Sequence, residues 1–286
     1  MANNTGALVS IYIPTKNRLE LLQRALQSCL RQSYPSLEVI IVDDGSSPEI
    51  QRQLQEYCRE FLQVTLILNS VSVGASQARN QAIALAKGYF ITGLDDDDEF
   101  TSERITEFVN CWQASDSFLC SGYWFFLANG QQIRSGRKAQ TIGADDLLNA
   151  NLVGNQLFTK TSYLQELGGF DPLLVACQDY DMWIRLTQRF GTGRRINNFS
   201  YLVHQEHEFE RISITSRRIK GHQQLIAKHQ HLWSPQQLKT QHFLSQLHSG
   251  APVSLKLWRQ AGWRHFGLLL KMWLVARWHQ LFYKMD

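Results

Sequence analysis

Short apolar runs alternate with stretches of helical spacing through the first part of the chain. Residues 8–13 read as a buried strand, ended by Pro14, and Leu19, Leu22, Leu26 and Cys29 then recur at helical intervals. Residues 37–42 form a second apolar run, closed by Asp43-Asp44-Gly45-Ser46-Ser47, after which Ile50, Leu54, Tyr57 and Phe61 repeat the helical period. Residues 64–68 predict a third strand. Ala78, Ala82, Leu85 and Ala86 predict a helix that stops at Gly88. A fourth strand-like run, residues 89–94, is followed by a helix carrying Ile105, Phe108 and Trp112. Strands alternating with helices of this length predict right-handed crossovers and a mostly parallel sheet.

The pattern changes beyond residue 115. Residues 118–127 predict a long apolar strand, and Asn129-Gly130 is a strong hairpin signal leading into residues 131–133. Residues 144–149 predict a short helix, residues 152–159 a strand, and Gly168-Gly169-Phe170-Asp171-Pro172 a loop. Trp183, Ile184, Thr187 and Phe190 share one helical face, and residues 196–203 predict a last strand. The chain shows no internal repeat and no low-complexity linker.

Against this background one stretch stands out. The run at 89–94 delivers Asp95-Asp96-Asp97-Asp98-Glu99, five acidic side chains in succession. Like charges this close raise one another's pKa and oppose folding unless neutralised. A solvated acidic loop is one reading. The other is a site for a hard cation such as Mg²⁺ or Mn²⁺, made of oxygen ligands. Its position, where a buried strand ends in an open α/β sheet, is where ligands bind in such folds and favours the cation.

Composition sharpens the division of the chain. Its 286 residues, 44% of them hydrophobic, suffice for one large domain or a domain plus an appendage. The net charge of +4 conceals an asymmetry: beyond Glu210 the only acidic residue is Asp286, and all nine histidines lie at or after His204. A basic last third suggests an anionic partner for that part. The five cysteines (Cys29, Cys58, Cys111, Cys120, Cys177) show no paired spacing, which points to a reduced setting. The polar N-terminus lacks the features of a signal peptide, and no apolar stretch reaches the roughly 20 residues needed to span a bilayer.

Six short motifs, taken in order, resemble those of family 2 glycosyltransferases. They are Ile13-Pro14-Thr15-Lys16-Asn17-Arg18, Val42-Asp43-Asp44-Gly45-Ser46-Ser47, Gly74-Ala75-Ser76-Gln77-Ala78-Arg79-Asn80, Leu94-Asp95-Asp96-Asp97-Asp98, Gly168-Gly169-Phe170-Asp171, and Gln178-Asp179-Tyr180-Asp181-Met182-Trp183-Ile184-Arg185-Leu186. Each alone is weak; their order over residues 7–190 is specific. The resemblance implies the GT-A fold, a Rossmann-like, mostly parallel central sheet flanked by helices. It also implies a nucleotide-sugar donor, a UDP-sugar by preference, a divalent cation (Mn²⁺ or Mg²⁺), and inversion at the anomeric carbon.

Carried over residue by residue, the resemblance assigns Pro14, Thr15, Asn17, Arg18, Asp44, Arg79, Asp95 and Asp96 to the nucleotide-sugar. Asp44 would meet the base; turn capping is the structural alternative. The acidic run matches the family's DXD motif, with Asp97 and Asp95 as metal ligands. Asp179 matches the general base that takes the acceptor hydroxyl's proton; stabilisation of a helix N-terminus is the alternative. Many relatives carry Glu-Asp where this chain has Gln178-Asp179, so a charged neighbour to the base is missing here. Gly169, Phe170 and Trp183 are candidates for the acceptor site, although aromatics at helical spacing are more often core. His204 and His207 follow the last strand and are weak matches to a metal ligand.

The expected organisation is a catalytic domain over 1–210, with 7–115 binding nucleotide and 116–210 binding acceptor, and a basic helical extension over 211–286. Within that extension Leu255, Trp258, Gly262, Phe266, Leu269 and Trp273 fall on one helical face, opposite Lys256, Gln260, Arg264 and Lys271. This predicts a helix lying in an anionic membrane interface, against the alternative of packing on the catalytic domain. The expected partners are a nucleotide-sugar, a glycan or lipid-linked glycan acceptor and an anionic membrane surface, with no nucleic acid. The expected location is cytoplasmic, peripheral on the inner membrane. Two rival functions are a nucleotidyltransferase acting on sugar phosphates and a non-catalytic, nucleotide-binding scaffold at the membrane.

Overall fold

The computed structural model describes residues 6–136, 138–205 and 215–248. The expected interfacial helix beyond residue 252 and His207 lie outside the described residues. The chain divides into two compact units: residues 1–147, 151–173 and 178–210 in one, and 148–150, 174–177 and 211–286 in the other.

The first unit is built on one sheet of ten strands among the described residues. In chain order its elements begin β1 (Val9–Thr15), α1 (Leu19–Leu30), β2 (Leu37–Asp43), α2 (Pro48–Cys58), β3 (Val64–Leu68), α3 (Ala75–Leu85) and β4 (Phe90–Gly93). There follow β5 (Glu99–Phe100), α4 (Arg104–Cys111), β6 (Leu119–Leu127), β7 (Gln132–Ser135), β8 (Gln140–Ile142) and α5 (Ala144–Asn149). The set closes with β9 (Phe158–Lys160), α6 (Thr161–Glu166), α7 (Gln178–Phe190) and β10 (Gly193–Gln205).

The strand order is β3-β2-β1-β4-β9-β6-β10-β5, with β7 on β6 and β8 on β10. The β1–β4 half is parallel throughout, as the alternation of strands and helices predicts. From β9 onward the sheet is mixed: β9 is antiparallel to β4 and β6, and β5 and β8 are antiparallel to β10, while β6 and β10 are parallel. In the second half, where the sequence pattern changes beyond residue 115, hairpins and short returns replace helical crossovers.

Apolar residues on one side of β1 and β2 (Val9, Ile11, Ile13, Val39, Ile41) meet the buried stripe of α1, Leu22, Ala25, Leu26 and Cys29. Phe90, Phe108, Trp112 and Phe158 extend this core, their ring centres 4.7 to 6.0 Å apart. A fully buried Leu or Phe contributes about 1.5–3 kcal/mol, so this face anchors the strands whose far ends carry the polar loops.

Three differences from the expected elements matter later. β1 continues through Pro14, which stands in register opposite Val42, so Thr15 still belongs to the sheet. Residues 152–157 are irregular and only Phe158–Lys160 forms a strand. Gly154 takes φ 90°, breaking the extended run, and a Cβ there would lie 2.1 Å from the Tyr123 hydroxyl oxygen. Finally, β5, β8 and α6 are too short to leave a periodic signal.

In the second unit α8 (Thr215–His229) and α9 (Pro235–His248) flank a 3₁₀ turn at Gln230–Leu232. Leu225, Trp233 and Phe243 are buried within it. His222 Nε2 lies 3.0 Å from Gln241 Oε1, and Gln241 Nε2 donates to the Leu148 carbonyl at 2.8 Å. No helix of the described residues is long and apolar enough to cross a membrane.

Candidate active site

The acidic run leaves β4 at the centre of the sheet and is braced on every side by polar groups of the protein itself. Arg18 Nη1 lies 3.2 Å from Asp96 Oδ1 and 3.4 Å from Asp97 Oδ2. Arg24, on α1, donates to the Asp97 carbonyl at 2.7 Å and lies 3.6 Å from Glu99. Arg79, on α3, pairs with Asp95 at 3.1 Å. Three arginines thus hold the negative charge that the sequence left uncompensated.

Burial does the rest. Asp96, 6% exposed, accepts a hydrogen bond from Thr15 Oγ1 at 2.8 Å. Burial pushes its pKa up to about 6, against the opposing pull of Thr15 and Arg18. Asp98 is also buried, and burial together with Asp95 and Asp97 raises its pKa well above the usual carboxylate range. Its Oδ1 accepts from the His204 backbone N–H at 3.1 Å. His204 itself stacks on Phe126 and pairs with Glu99 at 2.9 Å. This bond holds Glu99 below its ordinary pKa.

Asp95 sits in a denser network. Asn155 Nδ2 donates to its Oδ2 at 2.8 Å, and Gln156 Nε2 to its Oδ1 at 3.1 Å. The Tyr12 hydroxyl donates to Gln156 Oε1 at 3.0 Å, and the Tyr201 hydroxyl accepts from the Asp95 N–H at 3.3 Å. Gly93 makes this possible: a Cβ there would fall 2.1 Å from Gln156 Oε1 and 2.4 Å from the Tyr12 ring. The irregular 152–157 segment is what turns Asn155 and Gln156 toward Asp95.

Asp179 opens α7 and is partly exposed. Asn151 Nδ2 donates to its Oδ2 at 3.2 Å. Burial raises its pKa; the Tyr180 N–H, Arg79 and Asn151 oppose that rise, and the Asp95 charge adds to it. Asp95, Arg79, Asp179 and the Tyr12 hydroxyl therefore lie within electrostatic reach of one another. The two acidic motifs, about eighty residues apart in sequence, are brought together by the 151–156 segment, which bonds Asp179 from Asn151 and Asp95 from Asn155 and Gln156.

The remaining candidates divide. Asp44 ends the β2 strand region and accepts from Ser72 Oγ (2.6 Å), the Val73 N–H (2.6 Å) and the Gly74 N–H (3.1 Å). It braces the loop that leads into α3. Asn17 has φ 54°, accepts from the Ser47 N–H at 2.9 Å and donates its own N–H to Ser46 Oγ at 2.7 Å. Pro14, Thr15, Asn17 and Arg18 thus tie the β1 end to both the β2 end and the acidic run.

The acceptor candidates sit elsewhere than on an open surface. Trp183 and Phe170 are 0% and 2% exposed, and Gly169 is buried. The Trp183 indole N–H donates to the Gly154 carbonyl at 2.8 Å. Asn80 grips Phe170 at both ends, accepting from its N–H and donating to its carbonyl, each at 2.7 Å. Asp181, fully buried, pairs with Arg185, which donates to the carbonyls of Leu167 and Gly169 at 2.9 and 2.8 Å. The Gly-Gly-Phe turn and the α7 motif form a packing unit that fixes where Asp179 begins.

Sequence reasoning missed Arg24, Tyr12, Asn151, Asn155, Gln156 and Tyr201. Tyr12 and Arg24 had signals, since each sits on an element whose end faces the acidic run. The others lie in loops or on a distant strand with no motif of their own.

The fold and this site together define an α/β protein with a polar, acidic site at its strand ends. The chain matches the model for glycosyl transferase family 2 over residues 10–166. It is 33% identical over 239 residues to the putative colanic acid biosynthesis glycosyl transferase WcaA of Escherichia coli K12, covering 80% of this chain and 83% of that protein. The chain belongs to glycosyl transferase family 2. Among solved structures it resembles TarS of S. aureus in complex with UDP-GlcNAc, with TM-score 0.68 at 18% identity, over 89% of this chain and 78% of that one. It also resembles the mannosyltransferase PcManGT of Pyrobaculum calidifontis in complex with GDP-Man and Mn²⁺, with TM-score 0.58 at 17% identity, over 95% and 82%. At these identities the likeness establishes the GT-A type of fold.

Proposed function

We propose that the protein is a metal-dependent, inverting glycosyltransferase. It moves a sugar from a nucleotide-sugar, a UDP-sugar by preference, to a hydroxyl of a growing cell-surface glycan such as a lipopolysaccharide core, O-antigen or capsule unit. The observation that carries this reading is the convergence of Asp95 and Asp179, with Arg79 acting on both.

In this reading the ends of β1 and β2, with Pro14, Thr15, Asn17 and Arg18, and the loop braced by Asp44, frame the nucleotide. Asp97 and Asp95, whose side chains are 21% and 25% exposed, would hold the cation. Among the described residues no three His, Cys, Asp or Glu side chains form a metal cluster. That donor set suits Mg²⁺ or Mn²⁺, which take one or two carboxylates and fill the rest of their shell from phosphate and water. A cation held there would supply positive charge to neutralise the departing diphosphate. Asp179 accepts the proton of the acceptor hydroxyl as that oxygen attacks the anomeric carbon and the carbon–oxygen bond to the diphosphate breaks. Burial raises the Asp179 pKa, which makes it a stronger base. Asn151 fixes one of its oxygens, leaving the proton-accepting geometry to the other.

The test is the Asp179→Asn variant. It is expected to retain cation-dependent UDP-sugar binding by calorimetry and to lose glycosyl transfer. Full transfer by that variant overturns the assignment, and pyrophosphate rather than nucleoside diphosphate as product points to a nucleotidyltransferase. A second arm concerns the basic extension: a chain ending near residue 250 is expected to lose sedimentation with anionic liposomes.

A further inference from the structure

On the β6–β7 hairpin, Trp124, Gln132, Ile133, Arg134 and Phe199 line a cleft of about 520 Å³. None of these residues takes part in the network of bonds around Asp95 and Asp179. Trp124 stands opposite Arg134 in the β6–β7 register, and Phe199 of β10 lies beside it, ring centres 6.2 Å apart. The Arg134 guanidinium carbon sits 4.0 Å from the centre of the Trp124 ring and 5.3 Å from that of Phe199. Arg134 makes no salt bridge among the described residues, although its side chain is exposed. Ile133 beside it is 48% exposed.

Contact with the Trp124 and Phe199 rings restrains the guanidinium while the Arg134 side chain remains exposed. An arginine held this way forfeits less freedom when it meets a planar anion and donates to it in a bidentate manner. Between Asp116 and Asp145 the sequence has no acidic residue. The cleft thus pairs an apolar wall (Ile133, Phe199) and an amide (Gln132) with an exposed guanidinium that makes no salt bridge among the described residues. An apolar wall matches the C–H face of a pyranose, the amide its hydroxyls, and the guanidinium a carboxylate. The chain's own basic extension is disfavoured as occupant, because like charge would face like charge.

We infer that this hairpin cleft is a second, non-catalytic glycan-binding site that takes a carboxylate-bearing sugar residue, Arg134 being the anion contact. The inference rests on the glycan-handling reading above. It names the substrate class, an acidic polymer held away from the transfer centre while its end is extended.

The experiment titrates the full chain with a hexasaccharide of alternating glucuronate and N-acetylglucosamine, followed by tryptophan fluorescence and calorimetry. Saturable binding is expected, with Arg134→Gln weakening it at least tenfold while near-UV circular dichroism stays unchanged. Neutral chitohexaose is expected to bind at least tenfold more weakly than the acidic hexasaccharide. Asp179→Asn is expected to bind like the wild type, which separates this site from the transfer centre. Equal binding by Arg134→Gln, equal binding of the neutral sugar, or loss confined to Asp179→Asn each overturns the inference. Arg134-dependent capture by phosphatidylglycerol-containing vesicles without hexasaccharide binding overturns it in favour of a membrane surface. Arg134-dependent binding in a protein that proves unable to transfer sugar leaves the binding site standing and removes only the catalytic reading.

Discussion

Replacing Asp96 by Asn tests whether the acidic run is held together against its own electrostatics. In the folded protein the Asp96 carboxyl is buried, next to Asp95 and Asp97, and its pKa rises from 3.8 to about 6. A group that binds its proton more tightly when folded contributes stability below its unfolded pKa. It loses that contribution as pH rises through the folded value. That rise, at about 1.4 kcal/mol for each tenfold change in proton affinity, corresponds to about 3 kcal/mol lost between about pH 4 and pH 7.5. Asn cannot ionise, and its amide oxygen can still accept from Thr15, so the variant lacks this particular pH dependence. Other titrating groups, Asp98 among them, are common to both proteins and cancel in the difference to first order. Urea denaturation across this range, extrapolated linearly, measures it. The Asp96→Asn chain should gain on the wild type steadily with pH, ending about 3 kcal/mol ahead of where it stood at about pH 4. A difference that stays flat with pH, or that shrinks, refutes the reasoning.

Two further expectations follow from the site. Asp181→Ala leaves the Arg185 guanidinium without its buried partner and loosens the turn that Arg185 holds; a loss of about 3–5 kcal/mol is expected from denaturation. The rate of transfer should fall on the acid side through a pKa above the ordinary aspartate range. Asp179 must be ionised to accept a proton and burial raises its pKa, so activity appears as pH climbs through that raised value. A pH–kcat profile with no acid limb above the ordinary carboxylate range counts against Asp179 as the base.

The parallel half of the fold was readable because each element there carries a clean period. β1, β2 and β3 are compact apolar runs, and α1 and α2 bury one stripe each, so type and order follow from spacing alone. The mixed half resisted because its register depends on partners far away in sequence. The run at 152–157 is apolar enough to suggest a strand, yet Gly154 turns it into the loop that supplies Asn155 and Gln156. Asp97 and Asp179 were visible as motif residues. What could not be seen was that Arg18, Arg24 and Arg79 balance the acidic run from within. Ion pairs of that kind leave no periodicity. The motif aromatics Phe170 and Trp183 show the opposite case: a residue can belong to a motif because it packs, and both rings are buried here.

Arg79 and Asn80 are neighbours on α3, yet they face different halves of the centre. Arg79 holds Asp95, while Asn80 clasps the backbone of Phe170, in the turn that Arg185 of α7 also grips. Two successive residues on a single turn of α3 thus act on the acidic run and on the turn ahead of α7. A rotation or slide of α3 would disturb the Asp95 pair and the Phe170 clasp together, so the two halves of the centre share one mechanical support.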